Sequence, residues 1–237
     1  MSLTGKTVLI TGANRGIGEA LVREALRRDA QHVYAGTRRP LTPPDSRVTP
    51  LTLDVTDTEQ VRAAARSVDS LDLLVNNAGL ALHDDLTDPD LLERHFAVNL
   101  FGTHRVTQEF LPSLVTSGGS VVNVLSVAVL AALPVLPSYS VSKAAAFSMT
   151  QSLRALLASR GVSVHAVLTG PVDTDMSRDL PIAKASPAAV ARAIFDGVAA
   201  GEEEIFPDPL TEPLAAGWRS GAVKELERAN AALLGAP

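Results

Sequence analysis

The sequence predicts an α/β fold: a doubly wound parallel β-sheet of about seven strands, held between helices in a three-layer α/β/α sandwich. Two observations carry this. Short apolar or β-branched runs alternate with helical segments from residue 7 onward, and such alternation builds a parallel sheet covered on both faces. The first run, Thr7-Val8-Leu9-Ile10, passes through a Gly-rich turn into an amphipathic helix, the opening unit of a Rossmann-type sheet. The 237 residues, 46% of them apolar, suffice for one domain with a sizeable core. No repeat, low-complexity tract or composition break divides them. One domain over 1–237 is expected, with a lid near 172–186 and a helical tail near 213–234.

Bulk properties exclude several classes. A formal net charge of −5 argues against general nucleic-acid binding. With no cysteine, disulfides and thiolate metal sites are ruled out. The start, Met1 to Lys6, has no signal-peptide pattern. The most apolar segment, Val121 to Leu136, is interrupted by Asn123, Ser126 and Pro134 and is shorter than the roughly 20 residues of a membrane span. A cytoplasmic protein with no membrane or nucleic-acid partner is expected.

The elements follow in order. After the first strand, Thr11-Gly12-Ala13-Asn14-Arg15-Gly16-Ile17-Gly18 forms the turn and opens a helix to about Arg28. Glycines there let the backbone approach a pyrophosphate, and the helix start offers free N–H groups. His32 to Ala35 is a second strand, ending at Gly36-Thr37-Arg38-Arg39. An NAD site places an acid about 20 residues past the glycines. Here Arg38 stands at that distance, and Arg15 can close on the same phosphate. Guanidinium groups suit a 2′-phosphate, so NADP(H) is favoured, with NAD(H) as the alternative.

Leu51 to Val55 reads as a third strand, with Thr56 and Glu59 as a capping box for the next helix. Leu71 to Val75 is a fourth strand ending in Asn76-Asn77-Ala78-Gly79. Ligands of doubly wound sheets bind at the carboxyl ends of strands. Asp54 and Asn77 are therefore candidates for adenine and ribose contacts, or else turn-formers. His83-Asp84-Asp85 reads as solvated, lacking a second histidine at ligand spacing, and no metal site is expected. Pro89 opens a helical region to about Val115, broken near Gly102 and carrying Asn99 inside. Ser120 to Leu125 is a fifth strand with Ser126 at its end, where its hydroxyl can reach a substrate oxygen.

A long helix from Ser138 to Arg160 carries Tyr139 and Lys143. Residues four apart share a helix face, so the two side chains point together. An ammonium beside a phenol favours the phenolate and is expected to lower the Tyr139 pKa, giving a general acid or base. Val162 to Leu168 is a sixth strand in which His165 reads as a core histidine. A helix from Pro187 to about Ala200, a solvated turn at Gly201-Glu202-Glu203-Glu204 and a last strand at Ile205-Phe206 follow. In the tail, Trp218, Val223, Leu226, Leu233 and Leu234 form an apolar stripe expected to cover the site or a subunit contact.

Thr11-Gly12-x-x-x-Gly16-x-Gly18, Asn76-Asn77-Ala78-Gly79, Asn99, Ser126 and Tyr139-x-x-x-Lys143, in this order, resemble the short-chain dehydrogenase/reductase family over residues 5–206. The resemblance implies that Tyr139 is the acid/base, that Lys143 lowers its pKa and binds the nicotinamide ribose, that Ser126 holds the substrate oxygen, and that Asn99 supports a water chain to Lys143. It implies cofactor contacts from Gly12, Asn14, Arg15, Gly16, Ile17 and Gly18, and from Thr37, Arg38, Asp54 and Val55. Asn77, Ala78 and Gly79 join them, as do Pro171, Val172 and Thr174 beside the nicotinamide carboxamide. Thr169-Gly170 departs from the family's usual Pro-Gly. The tail lacks the Asp-Gly-Gly-type segment of tetrameric members, so a homodimer through the helices near 99–115 and 138–159 stands beside a homotetramer.

The resulting expectation is hydride transfer between NADP(H) and a ketone, aldehyde or secondary alcohol. Its rivals are an epimerase or dehydratase of the family's extended branch, disfavoured by the short segment after Lys143, and a non-catalytic NADP-binding sensor or scaffold.

Overall fold

The computed structural model describes residues 2–179 and 181–234; Met1, Leu180 (inside the expected lid) and 235–237 lie outside the described residues. Seven strands form one parallel sheet in the order β3-β2-β1-β4-β5-β6-β7. They are β1 (Thr7–Thr11), β2 (His32–Thr37), β3 (Val48–Thr52), β4 (Leu73–Asn76), β5 (Ser120–Val124), β6 (Ser163–Val167) and β7 (Glu204–Ile205). The order reverses between β1 and β4, which opens a crevice at their carboxyl ends.

The twofold period of the strands sorts side chains onto two faces. Val8, Ile10, Val75 and Val122 pack with Leu21 and Val22 of α1 (Gly16–Arg27) and with Ile194 and Phe195 of α6 (Pro187–Ala200). Leu9, Leu74 and Val121 face the other way, against α2 (Thr58–Arg66), α4 (Thr103–Ser117) and α5 (Pro137–Ala158). Phe110, Leu114, Leu153 and Leu157 fill that second layer.

A buried polar seam crosses it. The Asn76 amide donates to Asn123 Oδ1 and to Thr107 Oγ1, both at 2.9 Å, and the Asn123 amide donates to Thr150 Oγ1 at 2.9 Å. The seam ties α4, β4, β5 and α5 in one line, and leaving any of these groups unpaired would cost about 1–3 kcal/mol. It fixes α5, and hence Tyr139 and Lys143, against the sheet.

The helical region after Pro89 is α3 (Pro89–Phe96), a π-helical turn (Ala97–Gly102) and then α4. The break expected near Gly102 is thus a widened turn that holds Asn99. Two short helices follow β7, α7 (Leu214–Arg219) and α8 (Ala222–Ala231).

Three local readings are corrected. The third strand begins at Val48, upstream of Pro50, because β3 is an edge strand where a missing N–H costs no ladder bond. The cap of α2 is Asp57, whose carboxylate accepts from the Glu59 and Gln60 amides at 2.9 and 3.1 Å. Thr56 instead closes a turn on Asp54, its amide and hydroxyl both donating to Asp54 Oδ1. The acidic run at 202–204 is not a solvated turn. Glu204 is 3% exposed and pairs with Arg154 and Lys224 at 2.8 and 2.9 Å, while Glu202 pairs with Arg219 at 3.0 Å. Lys224, itself buried, also meets Glu203 and Glu227 at 2.9 Å, so α8 is fastened to the sheet edge by charges. Trp218 packs on Phe147 with ring centroids 5.6 Å apart, whereas Val223, Leu226, Leu233 and Leu234 are exposed.

Candidate active site

The carboxyl ends of β4 and β5 and the start of α5 bring the chemistry together. Tyr139, Lys143, Ser126 and Asn99 are all buried. Pro137 at the first turn of α5 sets the helix start, and the one-turn spacing puts the Lys143 ammonium nitrogen 5.8 Å from the Tyr139 ring centre. That nitrogen donates to the Val124 carbonyl at 2.8 Å, where β5 ends. Ser126 caps the short 3-10 turn Val127–Val129, accepting from the Ala128 amide, and its hydroxyl lies within hydrogen-bonding reach of the Tyr139 phenol.

Burial dominates the electrostatics. Desolvation raises the Tyr139 pKa above 10, and the Ser126 hydrogen bond opposes it only in part. Desolvation lowers Lys143 from 10.5 to about 8. The expected depression of the phenol by the lysine is therefore corrected: in the chain alone the phenol pKa is raised, because burial outweighs the Ser126 hydrogen bond that lowers it.

Asn99 is gripped on both sides of its amide. Its Oδ1 accepts from the Leu80 amide at 2.8 Å, and its Nδ2 donates to the Leu80 carbonyl and to Ser142 Oγ, both at 2.9 Å. The Ser142 hydroxyl in turn donates to the Tyr139 carbonyl at 2.7 Å. The wide π turn thus links the loop after β4 to the helix of Tyr139. Gly79 passes between the two: a Cβ there would sit 3.5 Å from Asn99 Oδ1 and 3.7 Å from Lys143 Nζ.

At the carboxyl end of β1, Gly12 and Gly16 adopt φ of +65° and +56°. Gly18 is packed so closely that a Cβ would lie 2.1 Å from the Gly12 carbonyl oxygen. No side chain caps α1, so its first amides point out free. Asn77 secures this turn, its amide donating to the Thr11 and Gly12 carbonyls at 2.9 and 3.2 Å. Asn14, Arg15 and Arg38 are exposed along this edge, and Thr37 turns inward to the Arg39 carbonyl. Arg15 pairs with Asp175 at 3.1 Å. Val172 bridges to Ala185, and Thr174 rests against Gly16, 3.0 Å from where a Cβ would be. A cavity of about 780 Å³, lined by Arg15, Thr174, Asp175 and Arg178 among others, lies beside the turn and away from Tyr139. Val55 packs under Gly102, at the far end of the π turn.

Several contacts had no legible signal. The Thr11 hydroxyl accepts from the amides of Asn77 and Ala78 at 3.0 Å, joining the two glycine loops. His95, fully buried, accepts from the Leu82 amide at 3.0 Å and orders the loop after β4. Asp84, read as solvated, is half-buried and accepts from the Ser138 amide at 3.3 Å, capping the otherwise uncapped α5 from a distance. His83 is exposed, and His165 is a satisfied core histidine facing the Glu202 carbonyl. Among the described residues no His/Cys/Asp/Glu cluster could hold a metal ion, and no helix is long and apolar enough to cross a membrane.

Comparison with known proteins agrees with this geometry. The family model described as short chain dehydrogenase matches residues 6–185. A short-chain dehydrogenase of Penicillium crustosum is 40% identical over 183 residues, covering 71% of this chain and 66% of the relative, so the match spans just under two thirds of that protein. A ketoacyl reductase of Nostoc is 30% identical over 237 residues, covering 90% of this chain and 83% of the relative. A Burkholderia cenocepacia short chain dehydrogenase, solved in complex with NADP, superposes with a TM-score of 0.88 at 37% identity over the whole of both chains. A family match along most of the chain, together with a superposition over its whole length, leaves one placement: this protein belongs to the short-chain dehydrogenase family.

Proposed function

We propose that the protein is an NADP(H)-dependent oxidoreductase that moves a hydride between the nicotinamide and the carbon of a ketone, aldehyde or secondary alcohol. The observation that carries this reading is the buried Ser126–Tyr139–Lys143 cluster beside the Gly79 loop at the crevice where the strand order reverses. The turn fits a dinucleotide: the α1 amides are uncapped, Gly18 brings helix and turn together, and Arg15 and Arg38 offer cations to a 2′-phosphate. The NADP complex of the Burkholderia relative supports the same choice.

When bound, the dinucleotide supplies or accepts the hydride. Ser126 and Tyr139 hold the substrate oxygen by hydrogen bonds that strengthen as charge builds on it. Tyr139, kept protonated by burial, delivers the proton to that oxygen during reduction. Lys143 stands near enough for its charge, when present, to favour the phenolate left behind. Because the phenol pKa is raised, the acid form persists to high pH: reduction falls only at alkaline pH, and alcohol oxidation rises there.

NADPH consumption should be followed against a panel of ketones and aldehydes, and repeated with NADH. Tyr139→Phe should lose about 10²–10⁴ in kcat while still binding NADPH. A Phe variant that keeps most of its activity on every accepted carbonyl sinks the reading. The same proposal places the protein in the cytoplasm, as a dimer or tetramer joined through the outer faces of the α4 and α5 regions, where Phe101, Val141 and Leu156 are exposed.

A further inference from the structure

We infer that Asp208, on the segment after β7, is a positioning residue for the nicotinamide side of the cofactor cleft and acts through the backbone of Gly170; the inference rests on the dinucleotide reading above. Asp208 is 5% exposed. Its Oδ2 accepts from the Gly170 amide at 2.7 Å, the Thr211 hydroxyl at 3.0 Å and the Thr169 hydroxyl at 3.2 Å. Its Oδ1 accepts from the amides of Leu210 and Thr211 at 3.1 and 3.2 Å. The bonds within 208–211 fix the carboxylate in its own turn. The bonds to residues 169 and 170 then fix the loop that leaves β6.

That loop leads to the cofactor turn within a few residues. A Cβ on Gly170 would lie 2.9 Å from both Asp208 Oδ1 and Leu210 Cδ2, so the backbone runs directly against the Asp208 turn. Next, the Pro171 carbonyl accepts from the Ala185 amide at 3.0 Å, and the Asp173 amide donates to the Ala185 carbonyl at 2.9 Å. Thr174 then meets Gly16. Residues 171–174 are thus held at one end by Asp208 and at the other by the glycine turn. Thr169 stands where the resemblance leads one to expect proline. A proline ring would stiffen this hinge, and here a hydroxyl joined to a carboxylate restrains the same residue.

The carboxylate is specifically required. An Asn of the same size has one acceptor oxygen and one NH2. Whichever way it is turned, an NH2 faces backbone N–H groups, either Gly170 or the Leu210–Thr211 pair. Hydroxyls can reorient around such a change, but a backbone amide cannot.

The test measures the affinity of the full chain for NADPH and for adenosine 2′,5′-bisphosphate, which has the phosphorylated adenosine half and no nicotinamide. Asp208→Asn should weaken NADPH about tenfold, the scale of one lost hydrogen bond, and leave the bisphosphate within about twofold. Thr169→Val, which removes one of the five donors, should give the same split at about threefold. Equal weakening of both ligands, or unchanged NADPH affinity in a folded variant, overturns the positioning role. If Asp208→Asn does not fold, Thr169→Val decides by the same criterion. A wild-type chain that binds neither ligand refutes the cofactor reading itself, an outcome distinct from loss of the split.

Discussion

Lys143 is 5% exposed, and its burial lowers its pKa from 10.5 to about 8. At neutral pH the folded chain must carry this charge in a poorly solvated place, at a cost on the order of 3 kcal/mol. Between about pH 8 and 10.5 the unfolded chain binds a proton that the folded chain does not, so stability rises with pH in that window. Tyr34 and Tyr139 act oppositely above pH 10. Their raised pKa values keep them neutral in the fold while the unfolded chain ionises, so stability falls again. Lys143→Met should therefore be more stable than wild type at pH 7 and should lose the rise between pH 8 and 10. Urea unfolding of the cofactor-free protein across that range checks it; an unchanged rise in the variant would assign the effect to other groups.

The glycine turn shows how one atom constrains an element. Gly18→Ala would put a methyl carbon 2.1 Å from the Gly12 oxygen and 2.6 Å from the Asn77 amide nitrogen, so α1 must move off the turn. We expect about 3 kcal/mol or more of lost stability and no measurable NADPH binding, read by thermal unfolding and fluorescence titration. Near-wild-type behaviour would mean that the close packing is unimportant. This motif was legible because it is local: strand, glycines and helix adjoin in sequence. Tyr139 and Lys143 were legible for the same reason, lying one helical turn apart. What escaped was set by contacts between distant residues. Asp84 caps α5 across 54 positions, Asp208 grips Gly170 across 38, and nothing nearby marks either carboxylate as more than a loop residue. Glu204 read as solvated because its partners, Arg154 and Lys224, come from two helices, α5 and α8, distant from it in sequence. The charge state of Tyr139 escaped because burial is a property of the assembled layers rather than of spacing.

At the scale of the molecule, two outer surfaces differ in kind. Phe101, Val141 and Leu156 leave apolar area exposed on the α4 and α5 side. Light scattering after size exclusion should find a dimer or tetramer, and Phe101→Glu should shift it toward monomer by placing a charge at the contact; a monomeric wild type excludes that pairing. The opposite condition holds where α8 meets the sheet edge. There Lys224 and Arg154 are held by Glu203, Glu204 and Glu227. Although burial works to raise it, the Glu203 pKa lies below 4.5 because of its bond to Lys224, so the stabilisation it gives is present above the ordinary carboxylate range and lost as pH falls. Once Glu203 takes up its proton, Lys224 loses one of the three carboxylates that hold α8 to the sheet edge. Acid should accordingly loosen α8 first, and brief pepsin treatment below the ordinary carboxylate range should clip the 207–221 connection before any strand of the sheet is cut.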